Sequence, residues 1–305
     1  NGIILTIYQN GEFLVWDTRG SSKPRKIGAL KEKLEVATVY SGDPSRVAIV
    51  NSEEIQIRSF PDLKIEYSLP SLKTKLMQIE FSPDGETLLM AGADSKVYRW
   101  RFIAEDEAKT TLEKRKTLER YIGHAAVISS ISFHPSGRVF LTGDWDGVMS
   151  AWKNFDADRH SGFYDKDIFS DRFFTEENVR IIANRDNRER IDFLDVSNDG
   201  KYIIVGLNNG IVELWKTRGL IKLTQVEAHK GKIFNLQFNS DSHNFVTSGR
   251  DGYLRRWSIQ EKDSVVVEKS GEVERPLVKN IAVLDRNRVV ASDSEGDVFM
   301  VVFNE

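Results

Sequence analysis

Two carboxylates flank a tryptophan in the stretch TGDWDGVMSAW, which runs from Thr142 to Trp152. A cluster of this kind can hold a metal ion, supply a catalytic acid and base, or close the turn before a strand. A metal or catalytic site also needs further ligands or a nucleophile nearby, whereas a turn needs only a short acceptor and a glycine. The residue types leave all three functions open, and the pattern along the rest of the chain decides between them.

Composition restricts the chemistry that the chain can perform. It contains no cysteine, which excludes disulfides, thiolate metal sites and thiol catalysis. Its 305 residues include 43 basic and 46 acidic ones, so the formal net charge of −3 provides no global attraction to nucleic acid or to an anionic membrane. No apolar run approaches the ~18 residues of a membrane helix. We therefore expect no nucleic-acid and no membrane partner, and any binding must be local.

A pattern of four residues occurs twice along the chain. Its members are a His, a Thr, an Asp and a Trp, separated by 18, 4 and 6 residues. The two sets are His124, Thr142, Asp146 and Trp152, and His229, Thr247, Asp251 and Trp257. Two coincident spacings 105 residues apart are hard to obtain by chance, so the chain contains an internal repeat.

Weaker copies share this frame and end near residues 16, 59, 100, 152, 215, 257 and 301. Within each copy the runs are short and alternate apolar with polar residues, as in LMQIEF and IFNLQF, which is typical of strands. The exception is the charged segment 104–120, a solvated excursion that could carry a short helix. Copies of about 42 residues with roughly four strands each describe the blade of a β-propeller, in which radial repetition protects the sheet edges.

On these residues the chain resembles the WD-repeat family. Further signatures are VWD at 15–17, IGH at 122–124, EAH at 227–229 and FSPDG at 81–85. The resemblance covers essentially the whole chain and implies an all-β, seven-bladed β-propeller with four-stranded antiparallel blades. In that family the four repeated residues form a hydrogen-bonded tetrad that ties a blade together. The resemblance therefore makes Asp146 and Asp251 structural acids rather than catalytic or metal-binding ones.

Some copies depart from the family pattern. The third has Leu72 and Met90 where a His and a Ser or Thr belong, and the second and seventh lack the Trp, so these blades should hold together by packing alone. The first copy starts with its second strand at about residue 2, so its blade is expected to lack the innermost strand. Residues 1–305 are expected to form a single propeller domain, part of a longer polypeptide because no Met stands at position 1.

The resemblance also predicts a binding surface, because residues just before the structural acid and three or five residues after the His position face the narrow top of such a propeller. These candidates are Trp145, Asn208, Arg250, Lys75, Met77, Arg190, Lys232 and Phe234. Aromatic, Met and Arg side chains carry much of the energy of protein interfaces. We expect a locally positive, partly apolar surface for an acidic or phosphorylated peptide. Two alternatives stay open: the basic residues are solvated loop charges, and Trp145 packs on a neighbouring loop.

The interval before residue 215 contains an insertion, residues 154–178, that carries six aromatic residues among acids. A polar linker does not require so many aromatic residues, so the insertion should pack on the propeller or against a partner.

These observations favour a non-catalytic, cytoplasmic scaffold that binds a protein, or another domain of the same polypeptide, through the top-face loops and the insertion. One alternative is a sensor or regulatory propeller fused to a catalytic domain outside this fragment. Another is a propeller enzyme with a central-channel site, but the mapped positions offer only Asp192 and no His. The sequence has no Gly-rich phosphate loop, His-Glu-x-x-His motif or nucleophile elbow, so no cofactor, metal or catalytic residue is predicted.

Overall fold

The computed structural model describes residues 3–17, 25–31, 33–40, 42, 45–102, 118–154, 180–182, 188–260, 265–272 and 277–303. Within these ranges it contains 26 strands and no helix. The strands fall into two compact units, unit 1 (Asn1–Gly123) and unit 2 (His124–Glu305). The segment 104–120 is described only from residue 118 and the insertion 154–178 only at Asn154, so the expectations for both lie outside the described residues.

Unit 1 contains three antiparallel sheets, with the strand orders β1-β2-β3, β4-β5-β6-β7 and β8-β9-β10-β11. Their strands are β1 (Ile3–Ile7), β2 (Glu12–Asp17), β3 (Arg25–Ala29), β4 (Val36–Tyr40), β5 (Arg46–Val50), β6 (Glu54–Ser59), β7 (Ile65–Pro70), β8 (Leu76–Phe81), β9 (Thr87–Gly92), β10 (Lys96–Arg101) and β11 (Leu118–Ile122). The first sheet begins with the strand that corresponds to the second strand of the other two, as the sequence predicted.

Unit 2 contains four antiparallel sheets, with the strand orders β12-β13-β14-β15, β16-β17-β18-β19, β20-β21-β22-β23 and β24-β25-β26. Their strands are β12 (Ile128–Phe133), β13 (Val139–Asp144), β14 (Met149–Lys153), β15 (Arg180–Ile182), β16 (Ile191–Val196), β17 (Tyr202–Leu207), β18 (Ile211–Lys216), β19 (Ile221–Glu227), β20 (Ile233–Phe238), β21 (Asn244–Gly249), β22 (Tyr253–Ile259), β23 (Val265–Glu272), β24 (Val278–Val283), β25 (Arg288–Asp293) and β26 (Val298–Val302).

The two units together hold seven sheets, which confirms the predicted all-β fold class and the predicted number of blades. Five of the sheets have the expected four strands, whereas the first and the last have three among the described residues. The sheets form because each copy supplies short runs of β-branched and aromatic residues, punctuated by tight turns. Gly85, Gly137 and Gly200 occupy equivalent turns with φ near +70°, a conformation that glycine adopts without strain.

The hydrophobic core consists of layers between consecutive sheets within each unit. In unit 2, one layer joins Leu141 of β13 to Leu194 of β16 and Trp215 of β18. The second strands β9, β13 and β21 are buried along their whole length because both of their faces are covered. In unit 1, Met90 and the half-buried Leu72 share one apolar cluster with Trp100, where a tetrad would place polar groups.

Hydrogen bonds also join the first strands of neighbouring sheets in unit 2. Leu194 N donates to Ser130 Oγ at 3.0 Å, which links β16 to β12. Phe238 N donates to Asp195 Oδ2 at 2.8 Å, which links β20 to β16. Such bonds fix the first strands of neighbouring sheets relative to one another.

Candidate functional site

The tetrad of the third sheet of unit 2 has the members that the repeat spacing predicts. Trp257 Nε1 donates to Thr247 Oγ1 at 2.9 Å, and Thr247 Oγ1 lies 2.8 Å from His229 Nε2. His229 Nδ1 in turn lies 2.7 Å from Asp251 Oδ1. The four side chains satisfy one another if His229 carries its proton on Nδ1, accepts from Thr247 at Nε2 and donates to Asp251. A structural role accounts for this network, and no catalytic role is needed to explain it.

The electrostatics of this tetrad fit a structural role. Burial lowers the pKa of His229, and the opposing effect of Asp251 does not restore it. Burial acts to raise the pKa of Asp251, but the hydrogen bonds from His229, from Lys230 N and from Arg255 outweigh burial and lower it. At neutral pH the ring is therefore neutral and the carboxylate ionised, which is the state that the hydrogen-bond directions require.

The first sheet of unit 2 also contains a tetrad, but its acid differs from the predicted one. Trp152 Nε1 donates to Thr142 Oγ1 at 2.8 Å, and Thr142 Oγ1 lies 2.6 Å from His124 Nε2. His124 Nδ1 lies 2.6 Å from Oδ2 of Asp144, whereas Asp146 is exposed. The assignment of Asp146 as the structural acid was therefore wrong.

The geometry of the turn explains this correction. Asp144 ends β13 and its Oδ1 accepts from the backbone N–H groups of Asp146 and Val148, at 3.0 and 2.7 Å. One buried carboxylate thus closes the turn and binds the histidine. The equivalent position in the other tetrad is Gly249, where an added Cβ would lie 2.3 Å from the His229 ring, so the acid must come from the turn there. Asp144 and Asp146 both stand in the GDWDG motif. The spacing in the copy that contains Asp251 favoured Asp146, which is the wrong residue.

In two further sheets the tryptophan indole also donates a hydrogen bond, although no full tetrad surrounds it. In the first sheet of unit 1, Trp16 Nε1 donates to Thr6 Oγ1 at 2.9 Å. In the second sheet of unit 2, Trp215 Nε1 donates to Glu213 Oε2 at 3.0 Å, and Lys222 Nζ donates to Glu213 Oε1 at 3.0 Å. Sequence reasoning missed this Trp-Glu-Lys arrangement, although the i, i+2 spacing of Glu213 and Trp215 places both on one face of a strand.

The predicted surface residues of unit 2 lie at one end of its sheets, which we call the upper edge: the end where β12, β16, β20 and β24 begin. The same backbone hydrogen bond marks this end in three sheets. Its donor and acceptor are Trp145 N and Val127 O at 3.0 Å, Asn208 N and Arg190 O at 3.0 Å, and Arg250 N and Lys232 O at 2.8 Å. The counted positions are therefore structurally equivalent.

Three of the candidate residues meet at the upper edge around one acid. The guanidinium carbon of Arg190 lies 4.0 Å from the centre of the Trp145 ring, and Arg190 Nε donates to Asp192 Oδ1 at 2.8 Å. Lys232 Nζ lies 3.4 Å from the same carboxylate oxygen. The carboxylate of Asp192 is almost fully buried, whereas 38% of Trp145 is exposed. A buried acid thus orients two cations, one of which stacks on an accessible indole.

The other candidates of the upper edge are Phe234, Asn208 and Arg250. Lys279 Nζ lies 3.6 Å from the centre of the Phe234 ring, a second cation–aromatic pair whose cation sequence reasoning missed. Asn208 and Arg250 are exposed, and the described residues give the Arg250 side chain no ion pair. The missed cation Lys279 is the second residue of β24, the position that Asp192 occupies in β16 and Phe234 in β20.

Lys75 and Met77 belong to unit 1. Ala93 N donates to Lys75 O at 2.8 Å, the same backbone bond that marks the upper edge in unit 2. Lys75 is exposed, and Met77 is half-buried on β8. They therefore occupy the equivalent end of a sheet in their own unit.

The described residues also bear on metal binding and on membrane insertion. Within the described ranges, no group of three or more His, Asp or Glu side chains could hold a metal ion. No helix there has the length and hydropathy that crossing a membrane requires. The upper edge presents an accessible indole, several oriented cations and backbone groups. These groups can bind a partner.

Comparison with known proteins agrees with this fold. Residues 115–153 and 221–258 match the WD40 family model, described as WD domain, G-beta repeat, and each match contains one of the two tetrads. The chain therefore carries WD repeats, and its fold class is that of the WD-repeat β-propellers.

The relatives of the chain differ in length. WD repeat-containing protein RUP1 of Arabidopsis thaliana is 25% identical over 289 residues, which cover 83% of this chain and 73% of that protein. Apoptotic protease-activating factor 1 of Rattus norvegicus is 19% identical over 322 residues, which cover 95% of this chain but 24% of that protein. Eukaryotic translation initiation factor 3 subunit I of Vanderwaltozyma polyspora is 24% identical over 243 residues, 66% of this chain and 65% of that protein.

Proposed function

We propose that this chain is a non-catalytic protein-interaction module that binds a partner protein through the upper edge of unit 2. The observation that carries the proposal is the stacked pair of Trp145 and Arg190, which stays accessible although Asp192 holds the guanidinium in place. Tryptophan and arginine are the side chains most enriched among interface hot spots. A pair that is already ordered loses little conformational entropy when a partner binds.

The charges of the upper edge indicate the chemistry of the partner. Arg190 and Lys232 are partly neutralised by Asp192, whereas Arg250 has no ion pair among the described residues and Lys279 stacks on Phe234. Arg190, Lys232, Arg250 and Lys279 thus supply cations to the upper edge, while Asp146 beside Trp145 and Glu189 beside Arg190 supply acids, so the positive charge is confined to the surroundings of these cations. An acidic or phosphorylated peptide with an apolar anchor fits this surface, because the charges steer its approach and the aromatic rings supply most of the affinity.

The relatives support an interaction role in general terms. One of them is named as a subunit of a translation initiation factor, and therefore as part of an assembly. Residues 154–178 remain a second candidate docking segment, as their aromatic content suggests. A cytoplasmic location is part of the same proposal, and fractionation of cells that produce the chain tests it.

The experiment compares affinity capture by the whole chain with capture by a Trp145→Ala, Arg250→Glu double variant. A partner that the double variant loses is then measured against the single variants. We expect Trp145→Ala to speed dissociation, and Arg250→Ala to slow association and to weaken its dependence on salt. Ile221→Ala, which removes an exposed side chain on β19, is the matched control. Retention of every partner by the double variant would refute the proposal.

A second candidate function is a regulatory domain within a longer polypeptide. The observation that favours it is that the matching part of apoptotic protease-activating factor 1 is only 24% of that protein. In this case the ligand of the upper edge would be another domain of the same polypeptide. Adding the isolated chain to the full-length protein should then displace the internal contact, and the Trp145→Ala form should not.

A further inference from the structure

A cleft opens at the other end of two sheets of unit 2, where β12 and β16 finish. Its volume is about 580 Å³, and three turns form its walls, those after β12, after β16 and after β18. Strands β12 and β16 have 6 residues each, so the cleft lies ~20 Å from the upper edge at ~3.3 Å per residue. Its volume falls within the ~300–1,000 Å³ that small-molecule pockets occupy. The proposed function makes no use of it.

The walls of the cleft are held in place before any ligand arrives. Ser136 N donates to His134 Nδ1 at 3.1 Å, so Nε2 of this buried ring carries the proton and donates to Gly200 O at 3.1 Å. Gly200 has φ +73°, and an added Cβ would lie 2.2 Å from His134 Nε2. The turns after β12 and β16 are thus joined through a contact that only glycine permits.

The cleft has an excess of positive charge. Lys201, Lys216 and Arg218 line it together with one acid, Asp199. Both carboxylate oxygens of Asp199 already have partners. Oδ1 accepts a hydrogen bond from Ser197 Oγ at 2.7 Å, and Oδ2 lies 3.0 Å from Lys201 Nζ. Arg218 is exposed at the rim and has no hydrogen-bond or ion-pair partner among the described residues.

A hydroxyl in the wall also lacks a partner. Thr217 is 1% exposed, and its Oγ1 forms no hydrogen bond with any described residue. Because this oxygen is itself buried, it lies behind the surface of the cleft and a ligand there does not reach it. Pro135 and the half-buried Tyr202 add apolar surface to the same walls.

We propose that this cleft binds a phosphotyrosine side chain of a partner polypeptide. A phosphate monoester carries nearly two negative charges and three acceptor oxygens, which match the exposed cations Arg218 and Lys216 better than a single carboxylate does. Bare phosphate leaves most of the volume empty, whereas an aromatic ring occupies part of it against Pro135 and Tyr202. The remaining space accommodates residues that flank the phosphotyrosine.

Isothermal titration of the whole chain with the peptide acetyl-Ala-Ala-phosphotyrosine-Ala-Ala-amide tests the proposal, with the unphosphorylated peptide and phenyl phosphate as comparisons. We expect the phosphopeptide to bind and the unphosphorylated peptide not to bind. Arg218→Glu should weaken binding at least about tenfold, because it reverses the charge at the rim. Lys216→Gln should weaken it about threefold or more without lowering the unfolding temperature.

The control variant is Val302→Ala, which removes an exposed side chain on β26 outside both the cleft and the upper edge and should leave the affinity for the phosphopeptide unchanged. Trp145→Ala is titrated as well, to determine whether the phosphopeptide binds at the upper edge. Absence of binding, or binding that Arg218→Glu does not weaken, overturns the proposal. Phenyl phosphate that binds as tightly as the phosphopeptide overturns the assignment to a polypeptide and indicates a free aryl phosphate. Binding that is lost only in Trp145→Ala also overturns the proposal, since it moves the phosphopeptide to the upper edge and leaves the proposed function standing.

Discussion

The Asp144 carboxylate lies 2.6 Å from the Nδ1 atom of His124 and is fully buried, although Asp146 stands at the position that the repeat spacing assigns to the acid. A single carboxylate therefore supports both the His124 ring and the turn between β13 and β14.

Replacing Asp144 by Ala should destabilise the fold by about 1–3 kcal/mol, because it leaves a buried imidazole N–H and two turn N–H groups without an acceptor. Asp146→Ala should change the stability by less than about 0.5 kcal/mol, since its side chain is exposed. Urea unfolding followed by tryptophan fluorescence measures both values. Equal losses for the two variants would contradict the tetrad with Asp144.

Glu213→Ala should destabilise the second sheet of unit 2 by about 1–3 kcal/mol, because the buried indole N–H of Trp215 loses its acceptor. Glu213→Gln keeps a carbonyl oxygen for the indole and loses only the ion pair with Lys222, so it should cost less than half as much. Thermal unfolding of the two variants compares these values. A glutamine variant as unstable as the alanine variant would show that the ion pair, rather than the indole bond, is the main contribution.

Gly200→Ala and Gly252→Ala form a matched pair. Both residues have positive φ, +73° and +82°, so each alanine variant adopts a strained backbone at a cost of about 1 kcal/mol. At Gly252 an added Cβ meets nothing within 4 Å, whereas at Gly200 it would lie 2.2 Å from His134 Nε2. We expect Gly200→Ala to be the more destabilising by at least about 1 kcal/mol in denaturant unfolding. Similar losses at both positions would indicate that His134 moves aside freely.

The stability should depend on pH through Asp195. Burial raises the pKa of this carboxyl to about 6, and the hydrogen bonds from Phe238 N and Val196 N only partly oppose it. Because the folded pKa lies above the ordinary value of 3.8, the contribution of Asp195 to stability is fully present below about pH 4 and is lost as the pH rises through 6. A shift of this size corresponds to about 2–3 kcal/mol.

Asp195→Asn removes this titration. The stability of the unmodified chain should therefore fall relative to that of the asparagine variant between about pH 4 and pH 6 and then run parallel to it. Urea unfolding at intervals across this range gives the difference. A difference that stays constant over the whole range would show that Asp195 does not titrate near pH 6.

Much of the fold was predictable from sequence because its determinants are local. Alternating apolar residues specify strands, and turn motifs such as FSPDG specify hairpins, so the number of sheets and the equivalence of Trp145, Asn208 and Arg250 follow from counting. The Thr, His and Trp members of the tetrads followed from the same regular spacing. These properties depend on residues within one repeat.

The tertiary structure alone decided the features that depend on contacts across repeats or on a residue's immediate space. The choice of Asp144 over Asp146 depends on the room beside the His124 ring, since Gly249 at the equivalent position excludes any side chain. Arg190 meets Trp145 across 45 residues of sequence, and the cleft joins turns that stand 66 residues apart at His134 and Gly200. Periodicity reports which face a side chain occupies, but not which partner from another sheet packs against it.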